Sequence, residues 1–137
     1  MKTNKHLDAK DEGEIIYDYA HDILTFKIKN RNYKQSVEFH NFVADIDDLG
    51  FVTGVRIFDA SRIFGVVKYT LKNIIHCDFK ARLEKNALTI QLKFVGKARN
   101  KLISLLPHTE NFTQQITTAV SDRYGLADSY TECAAEA

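Results

Sequence analysis

A chain of 137 residues with 45% hydrophobic and 27% charged side chains has the size and make-up of one globular domain. Its 19 basic and 18 acidic residues nearly cancel, which excludes a uniformly basic nucleic-acid coat protein and a uniformly acidic tail protein. No apolar run approaches the length of a membrane span, so no membrane partner is expected.

The first segment, "MKTNKHLDAKDEG", is polar, lacks the apolar stretch of a signal peptide and is expected to be a disordered lead-in over residues 1–13. A single domain then follows over 14–134, divided into a module at 14–61 and an extension at 62–134. Without an export signal the expected location is the cytoplasm. Cys77 and Cys133 match no metal or redox spacing and are expected as reduced thiols, Cys77 as a core residue.

Alternation of two is the recurring signal. Glu14–Asp18 and Ile23–Lys29 are predicted strands joined by the turn "DYAHD"; in the second, Leu24, Phe26 and Ile28 alternate with Thr25, Lys27 and Lys29. After an irregular "NRNYK" come strands at Ser36–Phe39, Phe42–Asp47 and Phe51–Phe58. Asp48-Leu49-Gly50 has the composition of a turn closing on a glycine in the left-handed region. "DASRIFG" offers Asp59 or Ser61 as an N-cap and Gly65 as a stop for one short helix. Val67, Leu71 and Ile74 have the spacing of a second.

The segments Ile75–Glu84 and Ala87–Val95 read as a hairpin about Lys85-Asn86. Pairing residues whose numbers sum to about 171 sets Leu83 opposite Leu88, Ala81 opposite Ile90, Phe79 opposite Leu92 and Cys77 opposite Phe94, so each inward residue meets an inward residue. A register slipped by one would cross the faces. Further on, Phe112, Ile116, Val120 and Tyr124 recur every four residues before Gly125, and the segment is predicted helical. Asp128–Cys133 is expected to return as an edge strand. The fold class is therefore α+β, mainly antiparallel sheet built from hairpins, with two or three short helices packed on it.

Charge is unevenly spread. Residues 1–61 carry 8 basic and 11 acidic side chains, residues 62–101 carry 10 and 2, and residues 102–137 carry 1 and 5. A basic middle between acidic ends is either an electrostatic footprint for an anionic partner or a set of faces balanced within the fold. The possible nucleic-acid contacts are Lys80, Arg82 and Lys93 on the hairpin's polar face, followed by Lys97, Arg99 and Lys101. Aromatic residues do not interleave there for base stacking.

The acidic stretch "DIDDLG" imitates the opening of a calcium loop, but Arg56 stands six residues past Gly50, where such a loop needs a carboxylate. Asp45 and Asp47 instead share the polar face of a strand, and with Asp59 they form a possible acidic partner surface. Ser61 with His40 or His76 and Asp59 would be the residues of a hydrolase, yet "DAS" is no strained nucleophile elbow and capping accounts for Asp59 and Ser61. The five histidines show no metal-ligand pairing. No cofactor is expected, and an enzyme is the less favoured class.

The order of parts from Ile15 to Ser61 resembles the domain of unknown function 2283 family. Those parts are Tyr17-Asp18, a turn, the alternating strand Asp22–Ile28, the glycine-containing acidic turn Asp45–Gly50, and the strand Val55–Phe58 closed by Asp59-Ala60-Ser61. Arg56 departs from the pattern, where a carboxylate is usual, and so does Tyr19, where proline is usual. Residues 62–137 look like the extension of longer, often archaeal, members. The resemblance implies a β-rich intracellular fold and no chemistry. The function expected from the whole is a small non-enzymatic protein-interaction module, self-associating because long alternating strands leave edges to cover. The alternative is nucleic-acid binding through Arg62 to Lys101, and a hydrolase comes third.

Overall fold

The computed structural model describes residues 5–10, 12–99, 107–121 and 124–136. In chain order the elements are β1 (Lys5–Ala9), β2 (Gly13–Asp18), β3 (Ile23–Ile28), β4 (Tyr33–Glu38), β5 (Phe42–Asp47), β6 (Val52–Ile57), α1 (Ala60–Phe64), α2 (Lys68–Lys72), β7 (Ile74–Glu84), β8 (Ala87–Arg99), β9 (Pro107–Ala119) and β10 (Ser129–Glu136).

Two five-stranded sheets result. Sheet A has the order β1-β10-β7-β8-β9 and sheet B the order β2-β3-β6-β5-β4. All neighbours are antiparallel except β1 and β10, which run parallel with Lys5 beside Ser129 and Ala9 beside Cys133. The inner faces meet in one core. Leu24, Phe26, Val55 and Ile57 of sheet B and Phe79, Ile90, Leu92 and Phe94 of sheet A all lie within it. Phe26 stacks on Phe79 across the interface, with ring centroids 4.7 Å apart, a separation that favours an aromatic pair. Burial of this apolar face is what fixes register, since a slip of one residue would turn it to water.

The hairpin of β7 and β8 has the register expected from its alternation: Leu83 faces Leu88, Ala81 faces Ile90, Phe79 faces Leu92 and Cys77 faces Phe94. Lys85 and Asn86 make the turn with φ values of 51° and 62°, the left-handed pair that matches strand twist in a two-residue hairpin.

Three expectations are corrected. The helix predicted over Phe112–Tyr124 is instead largely strand β9, paired with β8 from Ala87↔Ala119 to Arg99↔Pro107. A repeat of four fits a strand as well as a helix, because four is also twice two, and the threonines of this stretch favour a strand. The lead-in is not without structure, since Lys5–Ala9 forms β1. Because β1 covers β10, the final strand is not an edge. Two short helices are present among the described residues, as expected. They connect sheet B to sheet A and close one end of the core through Ala60 and Leu71, and the layer opposite each sheet is the other sheet.

One close approach decides how the layers meet. A Cβ at Gly13 would lie 2.7 Å from the Ala134 carbonyl oxygen and 2.8 Å from Phe26 Cζ. Only glycine lets β2 come this near to β10.

Candidate functional site

The acidic stretch that suggested a metal loop is resolved residue by residue. Asp47 is fully buried. Its Oδ2 accepts from Arg31 Nε at 2.9 Å and Nη2 at 2.6 Å, and its Oδ1 accepts from the backbone N–H groups of Leu49 at 3.0 Å and Phe51 at 2.9 Å. Asp47 therefore ties the Asp48–Gly50 turn to an arginine on the neighbouring loop. Gly50 adopts φ 89°, the left-handed geometry a glycine supplies at no steric cost.

Asp45 lies on the outer face of sheet B, where its Oδ1 accepts from Ser36 Oγ at 2.7 Å and Arg56 Nη2 at 3.1 Å. Gly54 sits opposite Asp45, and a Cβ there would be 3.3 Å from Asp45 Oδ2, so the carboxylate occupies space that a side chain would take. Asp59 is exposed and pairs with Arg62 at 3.1 Å. Each of the three expected surface acids is thus partnered by an arginine. Asp47 lies inside the fold, whereas Asp45 and Asp59 are reachable from solvent beside their arginines.

Three of the residues in the stretch that carried the family resemblance do converge. Asp22 Oδ1 accepts from Tyr17 Oη at 2.7 Å and from the Ser61 backbone N–H at 3.0 Å, while its Oδ2 accepts from Ser61 Oγ at 2.6 Å. Asp22 thereby caps α1 from a distant turn. Asp59, the nominal N-cap, sits in the left-handed region at φ 53° with no side-chain capping bond, and Ser61 is the second residue of the helix. Burial alone would raise the Asp22 carboxyl, but the bonds from Ser61 and Tyr17 prevail and hold it below its ordinary value. Burial and the neighbouring Asp22 carboxylate push the Tyr17 phenol well above its ordinary value. This is a structural knot rather than a catalytic dyad, because the Ser61 hydroxyl is spent on Asp22 and His76 is bonded to Asp78 on the other sheet.

The outer face of sheet A gathers the expected cations. Lys80 lies between Glu132 on β10 and Gln91 on β8, Arg82 between Tyr130 and Thr89, and Lys93 opposite Asp78. Lys80, Arg82 and Lys93 therefore do share one face, with carboxylates interleaved. Arg82 stands 5.4 Å over the Tyr130 ring, and His6 stacks on the same tyrosine at 5.1 Å. The backbones of Lys97 and Arg99 continue β8, and Lys101 lies outside the described residues. A cleft of about 580 Å³ lies on this face, lined by residues from β1, β10, β7 and β8. Sequence reasoning found the lysines but not the cleft, because β1 was expected to be disordered.

Both cysteines face the core, and burial pushes the Cys77 thiol up to about 12, so neither is a poised nucleophile. Among the described residues, no three His, Cys, Asp or Glu side chains are gathered as a metal centre would require. No helix among them is long and apolar enough to cross a membrane.

Comparison with known proteins places these features. An uncharacterized protein of Methanocaldococcus jannaschii is 32% identical over 91 residues, covering 66% of this chain and 78% of that protein. A Methanosarcina mazei protein bearing the name of a hypoxanthine phosphoribosyltransferase is 26% identical over 87 residues, covering 64% of this chain and 71% of that protein. No solved structure matches. A family model described as a protein of unknown function, DUF2283, matches residues 14–61, the span of sheet B and the capped start of α1. On the family-model match and the Methanocaldococcus relative, the chain belongs to the DUF2283 family.

Proposed function

We propose that this chain is a non-enzymatic protein-interaction module that self-associates by antiparallel pairing of β9 with β9 of a second copy. The observation that carries this reading is the contrast between β9 and the other edge strands. β1 has 5 residues, β2 and β4 have 6 each, and all three carry charged residues. β4 is further interrupted by an irregularity between Tyr33 and Gln35. Short, charged or bulged strands are the usual protections of a free edge.

β9 has none of these over most of its length. It runs for 13 residues, and from Asn111 to Ala119 the sequence "NFTQQITTA" holds no charge. The chain's one proline stands at the first residue of the strand, where it interrupts nothing further along. A long, uncharged, threonine-rich edge is a template for another strand, and an identical strand related by a two-fold axis is the simplest one. The test is light scattering across a dilution series. The expected mass is twice that of the 15.7 kDa chain, falling toward one copy on dilution. A strict monomer at the highest concentration would remove the reading.

Nucleic-acid binding is the second reading, favoured by the shared face of Lys80, Arg82 and Lys93. The interleaved Asp78 and Glu132 oppose an extended polyanion there. A mobility shift with generic DNA and RNA at low salt tests it, and binding must weaken steeply as salt rises.

A further inference from the structure

The cleft on the outer face of sheet A holds charges that differ in their commitments. Asp78 Oδ1 lies 3.0 Å from His76 Nε2. Glu132 accepts from Tyr130 Oη at 3.0 Å and lies 3.6 Å from His6 Nε2. These two carboxylates are occupied by neighbours on their own sheet. Lys10, Lys80 and Lys93 also line the cleft, and among the described residues none of their ammonium groups enters an ion pair or a hydrogen bond. Asp8 is the one lining carboxylate left without such a partner.

We infer that this cleft binds a small phosphate-bearing anion, held by Lys80 and Lys93 with Lys10 at its rim. The three ammonium groups come from three places in the fold: the end of β1, the middle of β7 and the middle of β8. All three line the same cleft. A planar carboxylate presents its oxygens in one plane, whereas a tetrahedral phosphate presents them in several directions and suits three separate donors. Gln91, opposite Lys80, adds an amide that can donate to an ester or hydroxyl oxygen of the same ligand. Ala134 lines the cleft beside Asp78, and its short side chain leaves the space open. The volume, about 580 Å³, is that of a small-molecule site. The carboxylates of Asp8, Asp78 and Glu132 that share the cleft favour a compact anion over a polymer backbone.

The test is calorimetric titration of the full chain with inorganic phosphate and with pyrophosphate at low ionic strength. The expected result is one saturable site per chain. Lys80→Ala combined with Lys93→Ala should weaken it roughly tenfold or more, since each charge-assisted bond is worth at least that factor, while Lys80→Arg with Lys93→Arg keeps binding. Lys29→Ala, in the turn after β3 and away from the cleft, leaves affinity unchanged. Both cleft lysines are exposed, so folding should survive, and a circular-dichroism melt checks it. Should the double variant fail to fold, the single variants Lys80→Gln and Lys93→Gln carry the test. No saturable heat, or wild-type affinity without the lysines, overturns the inference. An oligonucleotide that binds more tightly than pyrophosphate through the same lysines also overturns it, in favour of nucleic acid. Failure here leaves the self-association reading untouched, because β9 is not part of the cleft.

Discussion

Ser61 gives its hydroxyl to Asp22 Oδ2 at 2.6 Å and its backbone N–H to Asp22 Oδ1 at 3.0 Å, across 39 residues of sequence. A turn between two strands thereby starts the helix that follows β6. Ser61→Ala removes one bond of this knot and should cost about 1 kcal/mol. Asp22→Ala removes the acceptor for all of them, including the Tyr17 hydroxyl, and should cost about 2–3 kcal/mol. Urea unfolding followed by circular dichroism measures both, and Asp22→Ala must be the more damaging.

The same knot sets a pH dependence. The Asp22 carboxyl is held below its ordinary value of 3.8 by Ser61 and Tyr17, which outweigh burial. A depressed carboxylate contributes stability that is complete above its unfolded value and is lost as pH falls through the folded one. Tyr17 has the opposite sign: raised above 10.0 by burial and Asp22, it contributes stability below that pH and loses it as pH rises. Asp18 is also lowered, chiefly by the His21 backbone N–H, so the acid limb is shared. Asp22→Asn should therefore flatten, without abolishing, the fall in stability below the ordinary carboxylate range. Unfolding midpoints from neutral to acid pH in both proteins measure this.

Among the described residues, Arg31 and Asp47 form the most enclosed ion pair, with side-chain exposures of 22% and 0%. Removing one partner leaves a buried charge uncompensated, and such losses run to about 3 kcal/mol or more. Arg31→Ala and Asp47→Ala should each destabilise by about that amount. The exposed pair of Arg62 and Asp59 should be worth well under about 1 kcal/mol. A parallel Arg62→Ala measurement gives the contrast.

Gly13→Ala tests how the two sheets meet. The added methyl would press on the Ala134 carbonyl and the Phe26 ring, and neither the β10 backbone nor a fully buried ring can yield cheaply. A loss of about 1–3 kcal/mol is expected, the usual range for overpacking. The measured midpoint should fall with little change in the urea slope.

Much of the fold was legible in the sequence wherever one face of a strand is buried. The β7–β8 register followed from alternation alone, because only one register brings Phe79 to Leu92 and keeps both inside. The strands of sheet B were legible for the same reason. What escaped shares one physical cause, dependence on contacts distant in the chain. β9 was misread because its apolar residues repeat every four positions, a spacing both periods satisfy; the threonines and Ile116 were the arbiters. β1 carries little apolar signal of its own and is held by pairing with β10 at the far end of the chain. The roles of the acids were half legible: Arg56 argued against a calcium loop, but nothing local showed that Arg31 would cover Asp47 or that Asp22, rather than Asp59, would cap α1.

The β9 edge carries the central claim, and hydrogen–deuterium exchange of its backbone amides against protein concentration tests it most directly. Amides of β9 that face away from β8 should be protected at high concentration and exchange freely on dilution. Gln115→Lys with Thr117→Lys, both on the exposed side of the strand, should abolish that protection while the β7–β8 amides stay slow. Rapid exchange of the outward β9 amides at every concentration, or a dimer in which they exchange no more slowly than in the monomer, would contradict pairing through this edge.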